Sequence, residues 1–395
     1  MNALRLSVYL LLFSIMLCLI GCSSAAKESM TPPSLQPANI KIQPIESPNE
    51  IFKLDESLVA QLDSHLTRQN TAPQLAHAIL NLLLTNGDAS LAYQSGATLT
   101  AAQSYQNLNA NCLSLSILAY SLAEHLGLQA QFQKVHIPEY WALTQGVNFL
   151  TGHINLTVAN PANSRSSSKT VYQRDNGLVI DFYPASRQAR FKTSLLSKAT
   201  VTAMFYNNKG AVALINEQYD LAYSYFNAAT TVAPSYSAAW GNLGILYRHL
   251  GHLNAAELAY NYAIYLDKNN HTALGNLAVL YQLTHREQQG QQILKQLDNK
   301  RQSNPYYHIS LGNADYAQNN YAQALKHFKK AYSLAATLHE AHFGLARVYF
   351  QWGELSRADY HLRQAGKKAD FAHDQQRYAT KLNALQAYVL EKEIH

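Results

Sequence analysis

The sequence predicts an α+β domain followed by an all-α helical solenoid, and three observations predict it. From Ala203 onward the chain repeats itself every 34 residues. Between residues 111 and 183 the apolar period switches from helical to alternating. Ahead of both lie a short apolar leader and a proline-rich stretch. The 395 residues accommodate two or three domains, and with 48% hydrophobic and 14% charged residues they bury sizeable cores. A formal charge of +6 comes from scattered basic residues rather than from a run, so nucleic-acid binding is not expected. The three cysteines, Cys18, Cys22 and Cys112, exclude a disulfide framework.

Residues 1–21 carry a lone Arg5 and an apolar stretch over residues 8–20, the layout of a secretory signal and too short to span a bilayer comfortably. The end of this leader, Leu19-Ile20-Gly21-Cys22, resembles the bacterial lipoprotein box. That resemblance implies cleavage before Cys22 and acylation of its thiol, by palmitate among other chains. With Ser23 rather than Asp next, it also implies sorting to the outer membrane, facing the periplasm. Several acyl chains on one residue give stable anchoring. Residues 22–50 hold Pro32, Pro33, Pro37, Pro44 and Pro48 with few large apolar residues, and read as a tether. Extended at about 3.1 Å per residue, the stretch after Cys22 reaches roughly 80 Å.

Residues 51–200 show a mixed pattern. Leu58, Val59, Leu62 and Leu66 recur at helical spacing, as do Leu75, Ile79, Leu82 and Leu83 after a Thr71 cap. A third helix begins near Asn111-Cys112, runs through Leu115, Leu118, Ala119 and Leu122, and stops at Gly127. Residues 129–135, 153–158 and 178–183 then read as strands, with Ile154, Leu156 and Val158 alternating against His153, Asn155 and Thr157. The polar residues 160–169 read as a hairpin connection.

This arrangement places Cys112 at a helix amino terminus, His153 at the opening of one strand and Asp181 in the next. Unpaired N–H groups and the helix dipole favour a thiolate at such a position. The histidine shuttles the proton, and the carboxylate holds its ring in the required tautomer for acyl transfer. Further residues accompany these three: Asn111 and Leu113-Ser114, Leu126-Gly127-Leu128, Pro138-Glu139-Tyr140-Trp141, Gly152 with Ile154-Asn155, and Val179-Ile180 with Phe182. The whole resembles the bacterial transglutaminase-like domains of the papain-like superfamily that are fused to helical repeats. The resemblance implies a cysteine-dependent amide hydrolase or acyltransferase forming a thioester on Cys112, hydrolysis being the commoner outcome. It also implies an oxyanion donor beside the Cys112 N–H, with Gln106, six residues earlier, and the aromatic Tyr105 as candidates. No HExxH motif, paired cysteines or Gly-rich phosphate loop is present, so no metal and no cofactor is expected. His249 with His252 and His339 with His342 share helix faces inside the repeats and read as surface residues.

The repeat units start at Ala203, Ser237, His271, Pro305 and His339. In each, the eighth residue is small (Gly210, Gly244, Ala278, Gly312, Ala346) and so is the twentieth, from Ala222 through Gly290 to Ala358. The twenty-fourth is large and apolar (Phe226, Tyr260, Leu294, Phe328, Leu362), and the twenty-seventh is Ala except at Leu297. With Trp240, Leu243, Gly244, Tyr247 and Pro234, this resembles the tetratricopeptide repeat. The resemblance implies five helix pairs over residues 203–372, a capping helix over 373–395, and a groove that binds a protein or peptide partner. Asn208, Asn242 and Asn276 recur from unit to unit, but without the Lys and Arg spacing of a carboxyl-terminus clamp. A second function class stays open, that of a non-catalytic adaptor lipoprotein whose transglutaminase-like fold is a binding module.

Overall fold

The computed structural model describes residues 30–33, 37, 39–65, 92–93, 98–107, 109–144, 147–159, 171–174, 177–182, 191–369 and 372–394. The expected leader with Cys22, the helix around Leu75–Leu83 and the polar loop at 160–169 lie outside these residues.

Among the described residues the first part opens with two helices, α1 (Pro48–Phe52) and α2 (Glu56–His65). Ser47 caps α1 in a reciprocal box with Glu50, and Ile51 and Phe52 turn inward from it. A two-residue parallel pair, β1 (Ala92–Tyr93) with β2 (Asn109–Ala110), flanks α3 (Ala101–Asn107). Next comes α4 (Cys112–His125), whose apolar residues cover almost its whole circumference, so it is buried on most sides. It ends at Gly127, where φ is +71° and Leu128 N–H reaches back to the Ala123 carbonyl.

A five-stranded antiparallel sheet follows, made of β3 (Ala130–Thr144), β4 (Val147–Ala159), β5 (Val171–Arg174), β6 (Gly177–Ile180) and β7 (Thr193–Leu196) in the order β5-β6-β4-β3-β7. Two differences from the sequence reading stand out. Strand β4 begins six residues before His153, because β3 and β4 form one long hairpin. The residues after β4 do not join it directly to β6, since β5 intervenes and hydrogen-bonds the far edge of β6. Phe132, Ile154, Leu156, Val158 and Ile180 face α4 across the core.

From Ser197 onward the chain is helical, in five antiparallel pairs: α5 (Lys198–Ile215) with α6 (Tyr219–Val232), α7 (Ser237–His249) with α8 (Leu253–Leu266), α9 (His271–Leu283) with α10 (Glu287–Arg301), α11 (Pro305–Ala317) with α12 (Tyr321–Leu334), and α13 (His339–Gln351) with α14 (Leu355–Lys368). A final α15 (Ala372–Ile394) packs on α14. Helix α5 starts five residues before the first repeat position, because Ser197 caps it and Val201 and Thr202 are buried against the preceding part. The eighth and twenty-fourth positions meet within each pair. A Cβ added at Gly210, Gly244 or Gly312 would sit 2.6–2.7 Å from the ring of Phe226, Tyr260 or Phe328. Where the twenty-fourth residue is the slimmer Leu294 or Leu362, the eighth is Ala. In the third unit, a Cβ on Gly290 would lie 2.9 Å from the Ala278 carbonyl, which accounts for glycine inside α10.

The fourth position of the unit carries a second regularity. Trp240 donates its indole N–H to the Pro234 carbonyl at 2.8 Å, and His308 and His342 make the same ring-to-carbonyl bond to Gln302 and Ala336 at 3.0 and 3.2 Å. Each stitches the start of one helix pair to the end of the previous one. The other ring nitrogen of His342 meets His361 at 2.9 Å, and that of His308 meets His327 at 3.4 Å. Expected on the surface, His342 is instead 2% exposed, and burial holds it neutral by pushing its pKa down. His361 is pushed down to about 4 by burial and by His342.

Residues 39–47, expected to be free tether, lie along the first repeat instead. Lys41 and Gln43 donate backbone N–H groups to Asp220 and Ser224 at 3.2 and 2.8 Å. Glu46 accepts from Tyr225 at 2.7 Å and pairs with Lys209 at 3.3 Å, while its carbonyl accepts from Tyr206 at 2.7 Å. Burial works against the Glu46 charge, but these bonds win and hold its carboxyl below the usual range. Upstream, Met30 sits in a cleft with Ile264, Tyr265, Leu274 and Leu297.

Candidate functional site

The site assembles where the amino terminus of α4 meets β4. Asn111 caps the helix, accepting the Ser114 N–H at 3.0 Å while its amide donates to Thr98 at 2.9 Å. The Ser114 hydroxyl in turn accepts the Leu99 N–H at 2.8 Å and donates to Asn111 at 3.0 Å. This buried network sets the turn that presents Cys112 as the first helical residue, where backbone N–H groups have no partner within the helix. Cys112 Sγ lies 3.9 Å from the Gly152 carbonyl oxygen and is hydrogen-bonded to the His153 ring.

The hairpin is distorted at that point. Val135 pairs with His153 and Tyr140 with Thr151, so residues 136–139 bulge out opposite Gly152. Pro138, which lacks an N–H, falls inside the bulge. His153 uses Nε2 to bond Asp181 Oδ1 at 2.7 Å, leaving Nδ1 as the nitrogen for Cys112. Both residues are buried, at 3% and 1% exposure. Burial alone pushes the imidazole down, but the bonds to Asp181 and Cys112 outweigh it and raise His153 to about 10. The ring is therefore an imidazolium at neutral pH. Asp181, one residue past β6, also accepts from Asn155 Nδ2 at 3.0 Å.

Cys112, His153 and Asp181 thus converge with the histidine in the middle. The two oxyanion candidates are engaged elsewhere: Gln106 donates to Asp55 at 2.7 Å, and Tyr105 to Gln61 at 3.1 Å. Asn155 had stood out in the sequence as one member of an alternating polar face and as a neighbour of His153 in the resemblance, with no role of its own. Its position two residues from His153 on one strand was the available signal. Among the described residues, no group of three or more His, Cys, Asp or Glu is arranged to hold a metal ion. No described helix is long and apolar enough to cross a membrane.

Family profiles described as "Tetratricopeptide repeat" match residues 237–270 and 305–337, the second and fourth helix pairs in full register with the period. The carboxy-terminal half is a tetratricopeptide-repeat solenoid. Among solved structures, the chain is similar to PilF of Pseudomonas aeruginosa, at 17% identity over 50% of this chain and 94% of that one, with a TM-score of 0.28. It is also similar to TTC0263 of Thermus thermophilus, at 20% identity over 46% and 98%, TM-score 0.28. The third is the Cut9-Hcn1 hetero-tetramer of APC/C, at 18% identity over 47% of this chain, TM-score 0.28, and there the match spans only 37% of the other chain. No curated protein matches the chain. Within the repeats, Asn242 donates to Asn207 at 2.8 Å and Asn276 to the Thr272 carbonyl at 2.9 Å, so these two asparagines serve the scaffold. Tetratricopeptide repeats are protein-binding scaffolds.

Proposed function

We propose that the protein is a lipid-anchored periplasmic enzyme of transglutaminase-like fold, a cysteine-dependent amide hydrolase or acyltransferase whose repeats hold a protein or peptide partner. The observation that carries this reading is the buried relay Cys112–His153–Asp181, with His153 charged between the other two. In the reaction the Cys112 sulfur bonds to the substrate carbonyl carbon, and the developing oxyanion takes the Cys112 N–H. The C–N bond then breaks as His153 Nδ1 gives its proton to the leaving amine, which yields a thioester on Cys112. Water, or an acceptor amine, attacks the thioester while His153 takes its proton, and Cys112 leaves as the restored thiolate. Asp181 stays ionised throughout and stabilises the imidazolium.

The competing reading, a non-catalytic adaptor, is favoured by the repeat matches at residues 237–270 and 305–337. Iodoacetamide separates the two. In the catalytic reading Cys112 of the folded protein is alkylated at pH 6 at least about ten-fold faster than a free peptide thiol, and His153→Gln removes the excess. A rate at or below the free thiol's leaves the adaptor as the function.

A further inference from the structure

The relay has a fourth member. Asn155 points the same way as His153 from β4, two residues on, and places Nδ2 3.0 Å from Asp181 Oδ2, the oxygen that His153 does not use. The residue is 1% exposed, and its own carbonyl oxygen, Oδ1, is buried with no hydrogen-bond partner. An unsatisfied buried carbonyl is costly, so an apolar side chain of the same size would suit this spot better if it served packing alone. The amide orientation answers to the carboxylate instead, since a carbonyl turned toward Asp181 would face a negative oxygen.

We infer that Asn155 is a positioning residue: it clamps the Asp181 carboxylate so that the other oxygen holds the His153 ring in line with Cys112. The clamp acts on Oδ2 while the histidine bonds Oδ1, so each carboxylate oxygen has a partner that fixes it. Without the amide, the carboxylate rotates about its Cβ–Cγ bond and the ring follows it. The ring then spends less time beside the sulfur, in line for proton transfer. Asn155 touches neither the sulfur nor the substrate carbonyl in this scheme, and its influence runs through Asp181. The inference rests on the catalytic reading above.

The test is Asn155→Leu, nearly isosteric and free of both the donor and the orphaned carbonyl, read by iodoacetamide alkylation of Cys112 from pH 5 to 9 together with thermal melting. The expected result is an alkylation rate at pH 6 lowered about ten-fold, an acid limb displaced toward that of a free thiol, and a melting temperature close to the wild type's, because the lost amide bond and the removed unsatisfied carbonyl offset each other. Asn155→Asp, which keeps the shape but sets a second carboxylate beside Asp181, lowers the rate as well. If wild type shows the fast reaction, His153→Gln abolishes it and Asn155→Leu keeps it unchanged, the clamp is wrong and the catalytic reading stands. If wild type itself reacts no faster than a free thiol, both fall. A variant that melts far lower with an unmoved acid limb assigns Asn155 a structural role and overturns the inference.

Discussion

His153 carries its proton in an interior where an isolated imidazolium would be costly, and it does so because Asp181 sits 2.7 Å away and Cys112 bonds the ring as well. That pairing makes stability depend on pH in a definite direction. The folded pKa, about 10, lies above the unfolded value of 6.5, so the contribution is fully present below pH 6.5 and is lost as pH rises through about 10. Thermal melts should show the wild type losing more of its melting temperature between pH 7 and 10 than His153→Gln does. Equal losses would mean that the ring is not held as a cation. The sequence exposed this part of the candidate site because Cys112 is the sole cysteine after residue 22, and because His153 and Asp181 interrupt apolar strands. It did not expose the oxyanion donor. Spacing places Gln106 and Tyr105 near the helix, yet only the fold brings Asp55 and Gln61 up to them.

Among the elements, the repeats were the most legible, because a 34-residue period reports the same packing problem solved five times. The structure adds that the eighth and twenty-fourth positions are a coupled pair, glycine under an aromatic ring and alanine under leucine. Gly244→Ala should destabilise the chain by about 1–3 kcal/mol through overpacking against Tyr260, less up to about 1 kcal/mol of gained helix propensity. Adding Tyr260→Leu should restore much of that loss, since it rebuilds the Ala–Leu pair of the third and fifth units. Urea unfolding of the two variants decides it, and a double mutant no better than the single would break the coupling. The strands were less legible. The residues that begin β4 and end β3 lack clean alternation, and β5 and β7 are four residues each, too short for a period to show.

At the scale of the molecule, residue 200 had marked the division between two folded parts, but the packing crosses it. Ile51, Leu118, Phe132, Leu156 and Ile180 belong to one apolar core with Phe205, Tyr206, Tyr225 and Ala239 from the first repeats. Lys198 reinforces the seam, pairing with Glu124 at 3.0 Å and lying over the rings of Phe52 and Tyr120. A protein ending at residue 200 should therefore aggregate, whereas one ending at residue 270, after two full helix pairs, should give a monodisperse peak and a cooperative melt. A well-folded shorter fragment would show that the shared core is dispensable.

The segment at residues 39–47, bonded along α6, also changes what a lipid on Cys22 would mean. Seven residues lie between Cys22 and Met30, so such a lipid would hang on a leash of about 25 Å when fully drawn out, not the roughly 80 Å of an unattached stretch. If Cys22 carried that lipid, the volume open to the anchored body would shrink with the cube of that length. Under the proposed function, targets would then be selected by height above the bilayer as well as by chemistry.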